Sequence, residues 1–231
     1  STAAAGWSLW AGRISSLVAV SDVHVRLLRA EREELFALLE RTAVPDFSRT
    51  TVCDGWSVRD VLAHCAAAYL QIATSHDPYG FTPEENQVAV EVRRAWPLED
   101  VLAELALGFR LAEASPALPT VALGEWIHGG DIRDALGAPD AYASAGLPDA
   151  LTLLVERSIA RGTPPVDVTL VDAAERGLET AQICLGDHTA EPVGWLRVDT
   201  PGLFRLVAGR RPNLVERDIV GVPLETLILF R

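Results

Sequence analysis

"GTPPVDVTLVDA", Gly162 to Ala173, is where the chain changes character. Before it, apolar residues recur at helical spacing; after it, they alternate or are β-branched. "VDVTLVDA" (166–173) and "LETAQICLG" (178–186) read as a hairpin turned by "AERG" (174–177). "GWLRVDT" (194–200) predicts another strand, and "PGLFRLVAGRRP" (201–212) a helix from near Pro201 to Gly209. "LETLILFR" (224–231) closes the chain as a helix or a strand. A helical part followed by a small α/β part makes the fold α+β, with the boundary near residue 163.

Working back from that boundary, helices follow one another through short links. "LPDALTLLVERSIARG" (147–162) is the last, and "TVALGEWIHGGDIRDALGAPD" (120–140) precedes it, stopping at Gly137 before Pro139. "PLEDVLAELALGFRLAEAS" (97–115) and "TPEENQVAVEVRRAW" (82–96) each begin beside a proline. Ser57 and Asp60 form a capping-box pattern after Gly55, opening a helix that buries Val58, Val61, Leu62, Cys65, Tyr69 and Ile72 and ends at the loop "SHDPYG". "SDVHVRLLRAEREELFALLERTAV" (21–44) is the first strong helix, capped by Ser21 or Asp22, with Leu27, Leu28, Leu35, Leu38 and Leu39 on one face. Four or more helices of this length predict a bundle over residues 18–162. Residues 1–17 read as an arm that packs Trp7 and Trp10, and residues 163–231 as the small α/β domain.

Composition narrows the function. The 231 residues carry a net charge of −12, and no lysine is present, so every fixed cation is an arginine. An acidic surface repels phosphate backbones and excludes nucleic acid as a partner. Cys53, Cys65 and Cys184 form no CxxC pair and no even set, as expected of reduced thiols in a cytoplasmic protein. The first residues have neither the basic start nor the apolar run of a signal peptide or a membrane span. A small-molecule substrate, on a monomer or homodimer, is the expectation.

Of five histidines, His24, His76 and His188 read as structural. His64 lies two turns into its capped helix, on the shoulder of the apolar face. His128 lies in "GEWIHGGDIRDALG" (124–137), where Gly124 and Asp131 share its side of the helix and Glu125 is close. Two histidines from different helices with a nearby carboxylate can bind a divalent metal in a bundle core. The bland alternative is a solvated polar helix end. Cys65 points about 100° from His64 and belongs to the core rather than to a thiol–imidazole pair. Arg205, Arg210 and Arg211 either hold a carboxylate or complement a helix C-terminus. The cost of Gly129 and Gly130 inside a helix is unexplained by propensity.

"DGWSVRDVLAHCAAAY", "EWIHGGDIRDALG" and "GLFRLVAGRRP", in that order and at these separations, resemble the mycothiol-dependent maleylpyruvate isomerase family. The resemblance covers nearly the whole chain from about residue 20. It implies a DinB-like four-helix bundle joined to a domain similar to sterol carrier protein 2. It also implies zinc held by His64, by His128 and by an acid or histidine four residues earlier. It makes mycothiol, or another low-molecular-weight thiol, the cofactor. Arg210 and Arg211 match the region that assists substrate binding, and Trp56 of the first motif joins them. Position 124 departs from the pattern, since glycine donates nothing there. Glu125 would replace the acid if the glycines let the helix distort, and Asp131, one turn on, is the other candidate. His64, His128 and Asp131 are the expected catalytic residues of a thiol-dependent isomerase or S-transferase acting on a small anionic electrophile. Gly124 favours the alternatives: a metal-free natural-product tailoring enzyme, or a ligand-binding protein on the same scaffold, using the cleft between the two parts.

Overall fold

The computed structural model describes residues 4–75, 81–139 and 141–230, with side chains from Asp22 onward. Helix α1 spans Ala4–Leu39. It starts well before Ser21 and Asp22, so neither caps it. No proline interrupts residues 4–39, and alanine, leucine and arginine sustain the helix. Residues 4–17, expected as an arm, are part of α1; the side chains of Trp7 and Trp10 lie outside the described residues, as does His76.

Helix α2 spans Val58–Thr74. Its capping box is complete: Ser57 accepts from the Asp60 N–H, and the Asp60 carboxylate accepts from the Ser57 N–H at 3.0 Å. Helix α3 (Pro83–Arg94) opens on a second capping box, Thr82 with Glu85. Helices α4 (Leu98–Ala112), α5 (Leu118–Ala135) and α6 (Leu147–Ala160) follow. Gly137, at φ +72°, turns the chain out of α5 where the sequence predicts a stop.

Two apolar cores organise the molecule. The first joins Leu28, Leu35 and Leu39 of α1, the inner face of α2, Leu105 and Phe109 of α4, and Val121 and Ile132 of α5. The second joins Leu123, Trp126 and Ile127 of α5 and Leu147 and Leu154 of α6 to the β-sheet. Helix α5 therefore lies between the cores. From Val121 to Arg133 only Gly124 escapes full burial.

The sheet has four strands: β1 (Val166–Leu170), β2 (Gln182–Leu185), β3 (Gly194–Val198) and β4 (Arg217–Val220). Their order is β2-β1-β3-β4. β1 and β2 form the expected antiparallel pair, Val168 opposite Ile183. β1 runs parallel to β3, and β4 returns antiparallel to β3. Helix α7, Thr200–Val207, is capped by Asp199 and buries Leu203, Phe204 and Val207 in the second core. β4 is not predicted from sequence: four residues alternating between half-buried and exposed leave too little apolar pattern. "LETLILFR" is neither helix nor strand. A 3₁₀ turn, Leu224–Leu227, leads into an extended end whose Leu229 N–H bonds to the Val207 carbonyl at 2.7 Å. Among the described residues no helix is long and apolar enough to cross a membrane.

Candidate functional site

His64 of α2 and His128 of α5 meet edge to face, ring centroids 4.8 Å apart. Glu125 joins them without any distortion of α5. It stands three residues before His128 on one helix face, and its Oε1 lies 3.4 Å from His64 Nε2. All three are buried. One donor atom from each of the three side chains lies within 4.8 Å of the others. Burial pushes the Glu125 carboxyl up, but the two histidines outweigh it and hold it at about 2. Its second oxygen, Oε2, is buried with no hydrogen-bond partner among the described residues.

Asp131 faces the other side of His128. Its Oδ2 lies 3.1 Å from His128 Nδ1. The Tyr142 hydroxyl donates to Oδ1 at 2.6 Å, and the Cys53 thiol to Oδ2 at 3.0 Å. Arg210 Nε donates to the same Oδ2 at 3.3 Å. Asp131 is fully buried; burial would raise its carboxyl, yet His128 and Arg210 keep it at about 2. Burial lowers the His128 pKa despite Asp131, which favours the neutral ring. With Nδ1 engaged by Asp131, Nε2 is left for the site, the usual outcome when a carboxylate orients an imidazole.

His64, Glu125 and His128 border a cavity of about 410 Å³ lined also by Trp56, Arg157 and Arg210 among others. Trp56 stacks over His128, centroids 6.2 Å apart, and its indole N–H donates to Gln87 Oε1 at 2.9 Å. Gly124 faces the same space. A Cβ there would approach the Phe230 ring at 3.5 Å, an ordinary contact. Gly129 and Gly130 have the opposite character. A Cβ at Gly129 would overlap Glu31, the buried partner of Arg133, and one at Gly130 would overlap the Tyr142 ring. The glycines serve close approach, not helix distortion.

The expected site residues thus divide. His64, Glu125, His128, Trp56 and Arg210 converge on the cavity. Asp131 is behind His128, not on the cavity wall, and Arg211 is not on the wall either but pairs at 3.3 Å with the exposed Asp54 at the cavity's edge. Cys65 is buried in the first core, as its place on the apolar face predicts. Cys53, Tyr142, Arg157 and Phe230 are not legible in sequence as site residues. Cys53 enters through a turn, closed by the Trp56 N–H to the Cys53 carbonyl at 3.0 Å, with Gly55 at φ +76°. Tyr142 sits at φ +59°, a conformation unfavourable for a non-glycine residue, while its hydroxyl engages Asp131.

A family model described as the mycothiol maleylpyruvate isomerase N-terminal domain matches residues 28–143, about half of the chain. No curated protein matches. Among solved structures, the chain is similar to a mycothiol-dependent maleylpyruvate isomerase, with 14% identity and a TM-score of 0.57, over 88% of this chain and 95% of that one. A histidine-to-alanine mutant of a mycothiol-dependent maleylpyruvate isomerase gives 15% identity and a TM-score of 0.55 over the same shares. At that identity the likeness speaks to the fold, and it extends beyond the bundle into the sheet.

Proposed function

The chain belongs to the mycothiol maleylpyruvate isomerase N-terminal domain family, and from that premise we propose that it is a thiol-dependent isomerase or S-transferase working at a zinc site formed by His64, Glu125 and His128. The observation that carries this reading is the spacing of the donors. Tetrahedral zinc with ligands at about 2.0–2.1 Å sets its ligand atoms about 3.4 Å apart. His64 Nε2 and Glu125 Oε1 are 3.4 Å apart. The donor set, two imidazoles and one carboxylate, suits zinc and leaves a fourth position open. Glu125 Oε2, with no hydrogen-bond partner among the described residues, and a His128 ring whose lowered pKa favours the neutral form both suit donation to a cation.

A zinc ion held there would keep a bound thiol, of mycothiol or a similar cofactor, as its thiolate at neutral pH. The protein's own residues do the rest. Asp131 fixes the orientation of His128, and Tyr142 and Cys53 fix Asp131. Arg210 reaches the edge of His128, 3.4 Å from either ring nitrogen, and places a positive charge beside an anionic substrate. Trp56 covers the imidazoles and limits water at them. In this reading Glu125 takes the place of the acid that position 124 lacks, and Asp131 is a positioning residue.

Metal analysis of protein purified without a histidine tag tests the proposal. About one equivalent of zinc is expected, falling at least tenfold in His64→Ala and Glu125→Gln. Less than a tenth of an equivalent after zinc supplementation removes the mechanism.

A further inference from the structure

The cavity holds a second guanidinium besides Arg210. Arg157, on α6, is part of its wall. Arg157 Nε donates to the Leu229 carbonyl at 3.3 Å, and the guanidinium carbon lies 4.0 Å from the Phe230 ring centroid. Those contacts occupy one donor and one face. Among the described residues its Nη groups donate to no protein acceptor, and no carboxylate is within ion-pair distance. The three arginines of the α7 region are each paired with an acid: Arg205 with Asp134, Arg210 with Asp131, Arg211 with Asp54. Burial and the nearby Arg161 both lower the Arg157 pKa, and no acid offsets them. An uncompensated cation inside a chain of net charge −12 is a local exception, and it attracts an anion.

We propose that Arg157 is the receptor for a carboxylate of the small-molecule substrate, a role that rests on the proposed function only in taking this cavity as the substrate site. The free Nη edge offers two parallel N–H donors, the bidentate match of a carboxylate. Phe230 and the Leu229 carbonyl hold the guanidinium plane, so little side-chain freedom is lost when the anion docks. The Phe230 ring also borders Gly124, one helical turn before His128. The carboxylate is therefore held on the order of 10 Å from the imidazoles, about two helical turns, a distance one small molecule spans. The anionic electrophile of the proposed reaction then has its acid group on Arg157 and its reacting carbon toward His64 and His128.

Calorimetric titration of the full chain with succinate, and with neutral succinamide as control, tests this. The protein is first stripped with 1,10-phenanthroline and returned to metal-free buffer, so that failure of the zinc site and failure of this proposal are separate results. Wild type is expected to bind succinate and to bind succinamide at least tenfold more weakly. Arg157→Gln should weaken succinate by about 10- to 100-fold, the range for hydrogen bonds to charged groups. Arg157→Lys, which keeps the charge but not the fork, should weaken it severalfold and is decisive if the glutamine variant does not fold. Arg161→Gln should bind as wild type does. No succinate binding by wild type, equal binding of succinamide, or unchanged affinity in the Arg157 variants overturns the proposal.

Discussion

Three glycines on one helix do two different things, and a single added methyl separates them. At Gly130 a Cβ overlaps the Tyr142 ring, which is itself held to Asp131 and stacked on Phe204 with a 6° angle between planes. That ring has no room to move, so Gly130→Ala is an overpacking substitution and is expected to cost about 1–3 kcal/mol in urea unfolding. At Gly124 the nearest atom to a Cβ is 3.5 Å away. Gly124→Ala should then stabilise the helix by up to about 1 kcal/mol through propensity alone. Equal effects at the two positions would show that the glycines are tolerated for some reason other than close approach. Propensity in the sequence marks all three as costly, but it cannot tell them apart. The distinction depends on Glu31, Tyr142 and Phe230, which come from elsewhere in the chain.

At the level of elements, what was legible is what is local. Ser57 and Asp60 announce the start of α2 because a capping box is a contact between residues three apart, and it forms as predicted. The same motif carries a pH dependence. Burial raises the Asp60 carboxyl, but Arg94, whose Nε lies 3.0 Å from Oδ1, and Ser57 outweigh it and hold it below the ordinary carboxylate range. A depressed folded-state pKa adds stability that is present above the unfolded value, near 4, and is lost as pH falls through the folded value. Asp60→Asn should therefore melt at a lower temperature than wild type at pH 7 and converge with it as the pH drops from about 4. A constant gap across that range would mean that charge at Asp60 contributes nothing. Elements fixed by distant partners were less legible. The start of α1 lies well before the one that Ser21 suggests: Ser21 looks like a cap, yet nothing before it breaks a helix. β4 depends on pairing with β3, and four residues with two half-buried side chains carry no period of their own.

For the whole molecule, the position of α5 decides how independent the two parts are. The change of pattern at residues 162–166 reads as a domain boundary, and the strands do begin at Val166. The second core nevertheless crosses it: Trp126 of α5 meets Phe204 of α7 at 4.7 Å, and Leu147 and Leu154 of α6 are buried with Val168 and Leu196 of the sheet. Sequence shows where periodicity changes but not which helix faces both sides, because α5 is buried nearly all round while carrying Glu125, His128, Asp131 and Arg133, and its glycines and charges mask the pattern. The cavity inherits this arrangement, taking His64 and His128 from the bundle and Arg210 from beyond the boundary. A chain ending at Gly162 would keep His64, Glu125 and His128 but uncover Trp126, Leu147 and Leu154, each worth about 1.5–3 kcal/mol when fully buried. That sum approaches the whole stability of an ordinary domain, about 5–15 kcal/mol. The truncated chain is expected to lose its sharp urea transition and to bind a hydrophobic dye, whereas the full chain should unfold in one step with tryptophan fluorescence and circular dichroism coincident. A cooperative transition in the fragment at the full-length midpoint would make the bundle a separate folding unit, and α5 would then owe its burial to the α/β part without depending on it.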